Sequence, residues 1–312
     1  MELRNCRQAY GETLCELGKT NKNIVVLEAD LGKSTMTEMF REHYPERYFQ
    51  VGIAEQNMTS IAAGFALTGK TAFTNSFAVF ATGRAYDQIR SSVCIPGLDV
   101  KICGSSAGLS DFGDGKTHQS VDDIALMRVL PHMTVLSPVD AVETAQMVRV
   151  MCREENKGPC YIRINRNDLP VFTSPDDEYH IGCMKQIRDG GDVVVFATGV
   201  MVSLAVKAAE NLEKENISVR LVNVSTIKPL DVKALERYCS GVKGVVTSEE
   251  HSIYGGLGSA ISGALSAKRL PIETHGINDS FGYSAENYGL LLEKFGLTSE
   301  GIANKVKKVL SV

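Results

Sequence analysis

No stretch of this chain is long enough and apolar enough to span a bilayer. Its strongest apolar runs, such as Asp192-Val-Val-Val-Phe-Ala-Thr, fall far short of the ~20 residues a membrane helix needs. The chain opens Met-Glu-Leu-Arg-Asn-Cys, with neither a basic start nor an apolar segment behind it, so a secretory leader is not expected. None of the eight cysteines pairs in a C-x-x-C, which argues against zinc and against a redox dithiol. Several, such as Cys103 and Cys160, lie inside apolar runs and read as free, buried thiols of a cytoplasmic protein. A formal net charge of -4 leaves no basic surplus, which excludes nucleic acid and anionic membranes as expected partners. Short repeats and low-complexity tracts are also absent.

Present instead is a long alternation of strand-like and helix-like segments across 312 residues, enough for two domains. The pattern predicts strands over 24–30, 71–74, 100–103, 133–138 and 160–164, with helices over 57–67, 83–94 and 140–153. Asp140 stands at the N-cap of the last helix. A polar, glycine-rich loop fills 104–120. Residues 167–191 lack periodicity and carry Pro170, Ser174-Pro175-Asp176-Asp177 and Asp189-Gly190-Gly191, all turn formers. A second alternation follows, with strands over 192–197, 218–224, 244–248 and 272–276. Helices are expected over 202–214, 232–239, 257–267, 286–294 and 299–310. The expected class is α/β, with two domains, each a mostly parallel sheet with helices on both faces. The expected boundaries are 1–170, a linker over 171–190, and 191–312.

Three constellations can carry chemistry. Glu55, in Gly52-Ile-Ala-Glu-Gln, follows a strand-like run and precedes a helix, at the sheet edge where α/β folds build sites. It also fits a plain first-turn glutamate favoured by the helix dipole. In Gly113-Asp114-Gly115-Lys116-Thr117-His118-Gln119 an aspartate precedes a histidine by four residues, so both can meet at one loop mouth and move protons near neutral pH; a surface turn is the alternative. Phe77 and Phe80 can stack on a flat heterocycle or simply pack in a core. Arg7, Ser34, Arg84 and Arg166 are candidate anion ligands, each arginine equally explicable as a solvated ion pair. Gly255-Gly-Leu-Gly258 has the look of a phosphate-cradling loop ahead of a helix. Gly113-Asp114-Gly115 is not the metal–diphosphate motif of thiamine enzymes, since no asparagine occurs between Gly115 and Asn156.

Taken in order, these pieces resemble the C-terminal half of transketolase, its pyrimidine-binding domain plus its C-terminal domain. The resemblance rests on Glu28-Ala-Asp30-Leu31, Gly52-Ile-Ala-Glu55-Gln, Ser76-Phe77-Ala-Val-Phe80, Gly83-Arg84-Ala-Tyr-Asp87-Gln, Asp114-Gly-Lys-Thr-His118-Gln, Pro138-Val-Asp140 and Glu249-Glu-His251-Ser-Ile-Tyr-Gly255-Gly-Leu-Gly258, from residue 7 to about 290. The Arg-Ala-Tyr-Asp-Gln piece also looks like deoxyxylulose-phosphate synthase, a relative.

The resemblance implies thiamine diphosphate as cofactor and carbohydrate metabolism of the pentose phosphate kind. Glu55 would donate a hydrogen bond to the pyrimidine nitrogen N1' and promote the imino form that deprotonates thiazolium C2. Phe80 would stack on the pyrimidine with Phe77 beside it. Asp114 and His118 would contact donor hydroxyls, His118 also moving protons. Arg7, Ser34 and Arg166 match phosphate contacts. The resemblance implies no metal ligand in this chain: magnesium or another divalent ion, with the diphosphate, would be held by an N-terminal partner subunit in a heterotetramer. The reaction implied is transfer of a two-carbon ketol unit between a ketose and an aldose. Ser106 stands where many transketolases carry a histidine that helps hold the acceptor's phosphate, so another chain length or a sulfonate is expected as an option. Two other readings stay open: the beta subunit of a 2-oxo acid dehydrogenase, and a non-catalytic binding subunit of the same fold.

Overall fold

The computed structural model describes residues 2–311. Its strands, in chain order, are β1 (Leu3–Asn5), β2 (Ile24–Glu28), β3 (Tyr48–Gln50), β4 (Thr71–Phe77), β5 (Val100–Ser105), β6 (Thr134–Leu136), β7 (Cys160–Arg163), β8 (Asp168–Pro170), β9 (Lys185–Arg188), β10 (Val193–Ala197), β11 (Val219–Asn223), β12 (Thr226–Lys228), β13 (Gly244–Ser252) and β14 (Ile272–Ile277). They form a seven-stranded sheet in the order β12-β6-β7-β5-β4-β2-β3, a five-stranded sheet β14-β13-β10-β11-β9, and the small pair β1-β8. Pairing is parallel throughout the two large sheets except at one edge of each, where β12 meets β6 and β9 meets β11 antiparallel.

Every residue of β2, β4, β5 and β10 is buried. That follows from helices covering both faces, and it is why β2 and β10 read as largely apolar runs rather than as alternations, whereas β4 and β5 bury polar side chains such as Asn75 and Lys101. The helix Cys6–Thr20 packs on the helix Ala141–Met151, whose N-cap Asp140 accepts from Glu143 N at 2.8 Å. Tyr10, Phe73 and Phe196 are fully buried in these cores. A side chain of that size contributes on the order of 2 kcal/mol of burial free energy. No helix among the described residues is long and apolar enough to cross a membrane.

Two local expectations change. The helix expected over 83–94 is irregular: wide π-type turns at Phe80–Arg84 and Ile89–Cys94 flank a short α-turn at Tyr86–Gln88. Such bulges re-aim side chains and concentrate at functional sites. The segment over 171–190 contains β9, which is hydrogen-bonded into the second sheet, while β12 crosses back to the edge of the first.

Candidate active site

In a parallel sheet the segments after the strands' carboxyl ends gather on one side, and every expected site residue except Arg7 sits at such a strand end or on the segment that follows it, Ser106 being the first residue after β5. Ser34 follows β2, Glu55 follows β3, Phe77 ends β4 with Phe80 just beyond, Asp114 and His118 follow β5, and Arg166 follows β7. Arg7 lies in the first turn of the Cys6–Thr20 helix.

Glu55 opens the helix Glu55–Leu67 but does not serve as a solvated first-turn charge: it is 1% exposed. Its Oε1 accepts from Ser76 Oγ at 3.1 Å and its Oε2 from Arg84 Nη1 at 2.7 Å. Arg84, considered as an anion ligand from sequence, is thus the counter-ion of Glu55, and its guanidinium also lies 4.6 Å from the Phe80 ring centroid.

Phe77 and Phe80 stand nearly parallel, 18° apart with centroids at 6.3 Å. Phe77 is buried; Phe80 is half-buried and presents the usable face. The His118 imidazole meets Phe80 edge-on at 5.2 Å and Phe77 at 6.3 Å. His118 Nδ1 lies 3.0 Å from Thr117 Oγ1. Its other nitrogen makes no hydrogen bond among the described residues, so it is free to meet a ligand hydroxyl. Asp114 lies exposed at the tip of the same loop.

The anion candidates converge in one corner. Arg7 Nη1 donates to the Ser34 carbonyl at 2.7 Å, and Arg166 Nη1 to Asp111 Oδ2 at 2.6 Å. Burial and the nearby positive charge of Arg166 lower the Arg7 pKa below the ordinary arginine value. Burial raises the Asp111 carboxyl while Arg166 pulls it back. Two arginines that repel one another, with Arg7 Nε buried and unpartnered, suit an anion. Ser34 also borders a cleft of about 390 Å³ with Lys33, Arg41 and Gln50. The loop carrying Ser34 is fixed from below by Glu28, whose carboxylate accepts from Thr35 Oγ1, Thr37 Oγ1 and the Ala29 and Leu31 amides. Burial pushes Glu28 up to about 7 despite those bonds.

Ser106, directly after β5, presents no open hydroxyl. It is fully buried, at a positive φ of 51°, with its hydroxyl unpartnered. The Gly255–Gly258 loop is not a phosphate cradle either. The carboxylate of Glu249 already accepts from the Leu257 and Gly258 amides at 2.7 and 2.8 Å, filling the helix N-terminus with a side chain of the protein itself. Sequence reasoning gave no role to Ser76 or Asp111; Ser76 sits in a quoted motif, but nothing local marks its partner 21 residues away. Among the described residues no group of three or more His, Cys, Asp or Glu side chains could hold a metal ion.

Comparison with known proteins agrees with this layout. The model of the transketolase pyrimidine-binding domain matches residues 3–171, and that of the transketolase C-terminal domain matches 182–302. A protein of Methanocaldococcus jannaschii, provisionally named a transketolase C-terminal section, is 44% identical over 310 residues, covering 97% of this chain and 95% of its own. The 6-deoxy-6-sulfo-D-fructose transketolase subunit SqwH of Clostridium sp. (strain MSTE9) is 39% identical over 306 residues, covering 97% and 94%. A solved split gene transketolase, described as an inactive β4 tetramer, superposes with a TM-score of 0.89 at 43% identity over 98% of both chains. The chain belongs to the transketolase family, as a C-terminal section made of a pyrimidine-binding domain and a transketolase C-terminal domain.

Proposed function

We propose that this chain is the C-terminal subunit of a thiamine diphosphate-dependent transketolase that moves a two-carbon ketol unit from a ketose to an aldose. The observation that carries the reading is the convergence of Glu55, Phe80 and His118, three elements apart in sequence, on one side of the first sheet. The residues fit an aminopyrimidine: a buried carboxyl to hold a ring nitrogen, and a half-open aromatic face beside it. When bound, thiamine diphosphate supplies the nucleophile and the electron sink that C–C cleavage needs.

This chain's own residues do the rest. Glu55, itself buried, holds a proton at the ring nitrogen. Phe80 orients the ring plane. His118, with its free nitrogen, takes and returns the proton of a donor hydroxyl, and Asp114 holds a neighbouring one. Arg7, Arg166 and Ser34 receive the sugar's terminal anion, whose charge relieves the repulsion between the two guanidiniums. The diphosphate and its magnesium or similar ion fall to an N-terminal partner subunit, and the working assembly is a heterotetramer. Eight free cysteines suit a cytoplasmic setting.

Phosphate and sulfonate share the chemistry this corner recognises, and one relative is named for a sulfonated donor. The test is co-purification with the N-terminal section, followed by ketol transfer with fructose 6-phosphate or 6-deoxy-6-sulfofructose as donor. The pair should turn over at least one donor and the isolated chain neither. Turnover by the chain alone overturns the partner requirement, and decarboxylation of a 2-oxo acid by the pair replaces the reaction class.

A further inference from the structure

The loop that carries Asp114 and His118 is fastened by the second domain as well as by its own, where Ala107, Ser110 and Asp111 bond Ile164, Arg166 and Asn167. Glu250, at the end of β13, reaches across with Oε1 to accept the Leu109 amide at 2.8 Å, and the same oxygen accepts the Tyr288 hydroxyl at 2.7 Å. Asn165 Nδ2 donates to that hydroxyl at 3.0 Å, linking the network to the turn that bears Arg166. Arg163 closes it from below, donating to the Glu250 carbonyl and to Asp123 Oδ2, each at 2.8 Å. At the far end of the loop, Gln119 Nε2 donates to the Tyr283 carbonyl at 2.9 Å and the Ala285 amide donates to the Phe112 carbonyl at 2.9 Å. Val121 accepts from the Ser252 amide at 2.7 Å. The approach is close: a Cβ at Gly108, whose φ is +66°, would displace the Glu250 carboxylate, and one at Gly282 would displace the Gln119 amide. The residues between the fastenings, 113–118, hold the exposed Asp114 and the half-buried His118.

We propose that Glu250 and Tyr288 are positioning residues: from the second domain they fix the loop bearing Asp114 and His118, making that domain a working part of the sugar site. The physical argument is one of entropy. A seventeen-residue polar loop between β5 and the helix Asp123–Arg128 would sample many backbone states, and ordering costs about 1 kcal/mol or more for each residue. Fastening it at Leu109, Phe112, Gln119 and Val121 meets that cost during folding, so a sugar finds His118 already beside Phe80. The Glu55 side of the site draws none of its bonds from this network, so the loop and the cofactor face respond to different residues.

The inference rests on the transketolase reading for its consequence but not for its physical content, and the test separates the two. In the chain paired with its N-terminal section, Tyr288→Phe, which removes one hydroxyl, and Glu250→Ala, which removes the acceptor, should raise the donor KM about tenfold. Thiamine diphosphate affinity should stay within about twofold. Glu250→Gln, which keeps an oxygen for Leu109 N and Tyr288, should recover most of the loss. Hydrogen exchange on the same samples should speed up several-fold over 108–120 and stay unchanged over 55–67. Unaltered exchange over 108–120 in both Tyr288→Phe and Glu250→Ala overturns the proposal. So does a parallel loss of donor and cofactor binding, which would mark a general structural role. If the parent pair transfers no ketol unit, the functional reading fails while the exchange measurement still decides whether the loop is fastened from the second domain.

Discussion

Replacing Glu55 with Gln separates a catalytic carboxyl from a structural one, because the two roles differ by orders of magnitude in their effects. The amide keeps the shape and an acceptor oxygen for Arg84 Nη1, now 2.7 Å from Oε2, and its nitrogen can donate to Ser76 Oγ, 3.1 Å from Oε1. What is lost structurally is the charge in the Arg84 pair. The Arg84 side chain is 43% exposed, so water screens the interaction and its worth is at most about 1 kcal/mol. The neutral contact with Ser76 is worth about 1 kcal/mol and is largely retained. Stability should therefore fall by roughly 1 kcal/mol, which moves the thermal midpoint by only about 2–4 °C in a domain of this size. The chemistry is another matter, since an amide cannot hold and release the proton at the ring nitrogen. Loss of an acid–base group typically costs 10²–10⁴ in rate, roughly 3–5 kcal/mol of barrier. The assay is the transfer rate of the chain paired with its N-terminal section and saturated with thiamine diphosphate, read beside thermal unfolding of the variant. A rate within about threefold of the parent refutes the role of Glu55. A midpoint lowered by more than about 10 °C shows instead that the residue holds the fold.

Three further outcomes are expected. Phe80→Ala should weaken thiamine diphosphate binding by the pair about fivefold or more, the worth of a stacked ring, while leaving unfolding nearly unchanged because Phe80 is only half-buried; equal affinity in a dialysis experiment contradicts its placement. Glu28 is raised from 4.5 to about 7, so the folded state binds its proton more tightly than the unfolded chain. Its contribution is full below pH 4.5 and is lost as pH rises through about 7, by at most ~1.4 kcal/mol per pH unit. Relative to Glu28→Gln, the parent should therefore lose stability between pH 5 and 7.5 in urea unfolding, and a constant difference would show that Glu28 titrates normally. Cys183 is exposed, whereas burial pushes Cys6 and Cys160 up to about 12, so a brief thiol-reagent pulse at pH 8 should label Cys183 and leave both others unmodified until the chain unfolds. Early labelling of Cys160 in the mass spectrum would contradict the packing of the first sheet.

The alternation of strands and helices was readable because parallel strands buried on both faces are nearly uniform apolar runs, as in β10 and β2. Glu55 and Phe80 were readable for a related reason: each lies within a few residues of a strand end, and strand ends are visible in sequence, while His118 stood out by its glycine-flanked loop. The partners of those residues were not. Arg84 reaches Glu55 from 29 positions away, along a segment whose wide turns have no simple periodic signature. Glu250 reaches Leu109 across 141 residues and between sheets. Gly255-Gly-Leu-Gly258 misled because the sequence places glycines but not the Glu249 carboxylate that occupies their amides. Ser106 occupies a familiar position in the motif, but nothing in the sequence marks the burial that leaves its hydroxyl unpartnered.

The most direct test of the account is thiamine diphosphate binding, measured by equilibrium dialysis with magnesium against this chain, against the N-terminal section, and against an equimolar mixture. Tight, stoichiometric uptake only in the mixture, abolished by Glu55→Ala with Phe80→Ala, is the predicted result. Tight binding by this chain alone, or no more uptake by the mixture than by the separate chains, would contradict a cofactor site whose ring-binding wall is Glu55 and Phe80 and whose remainder lies on another polypeptide.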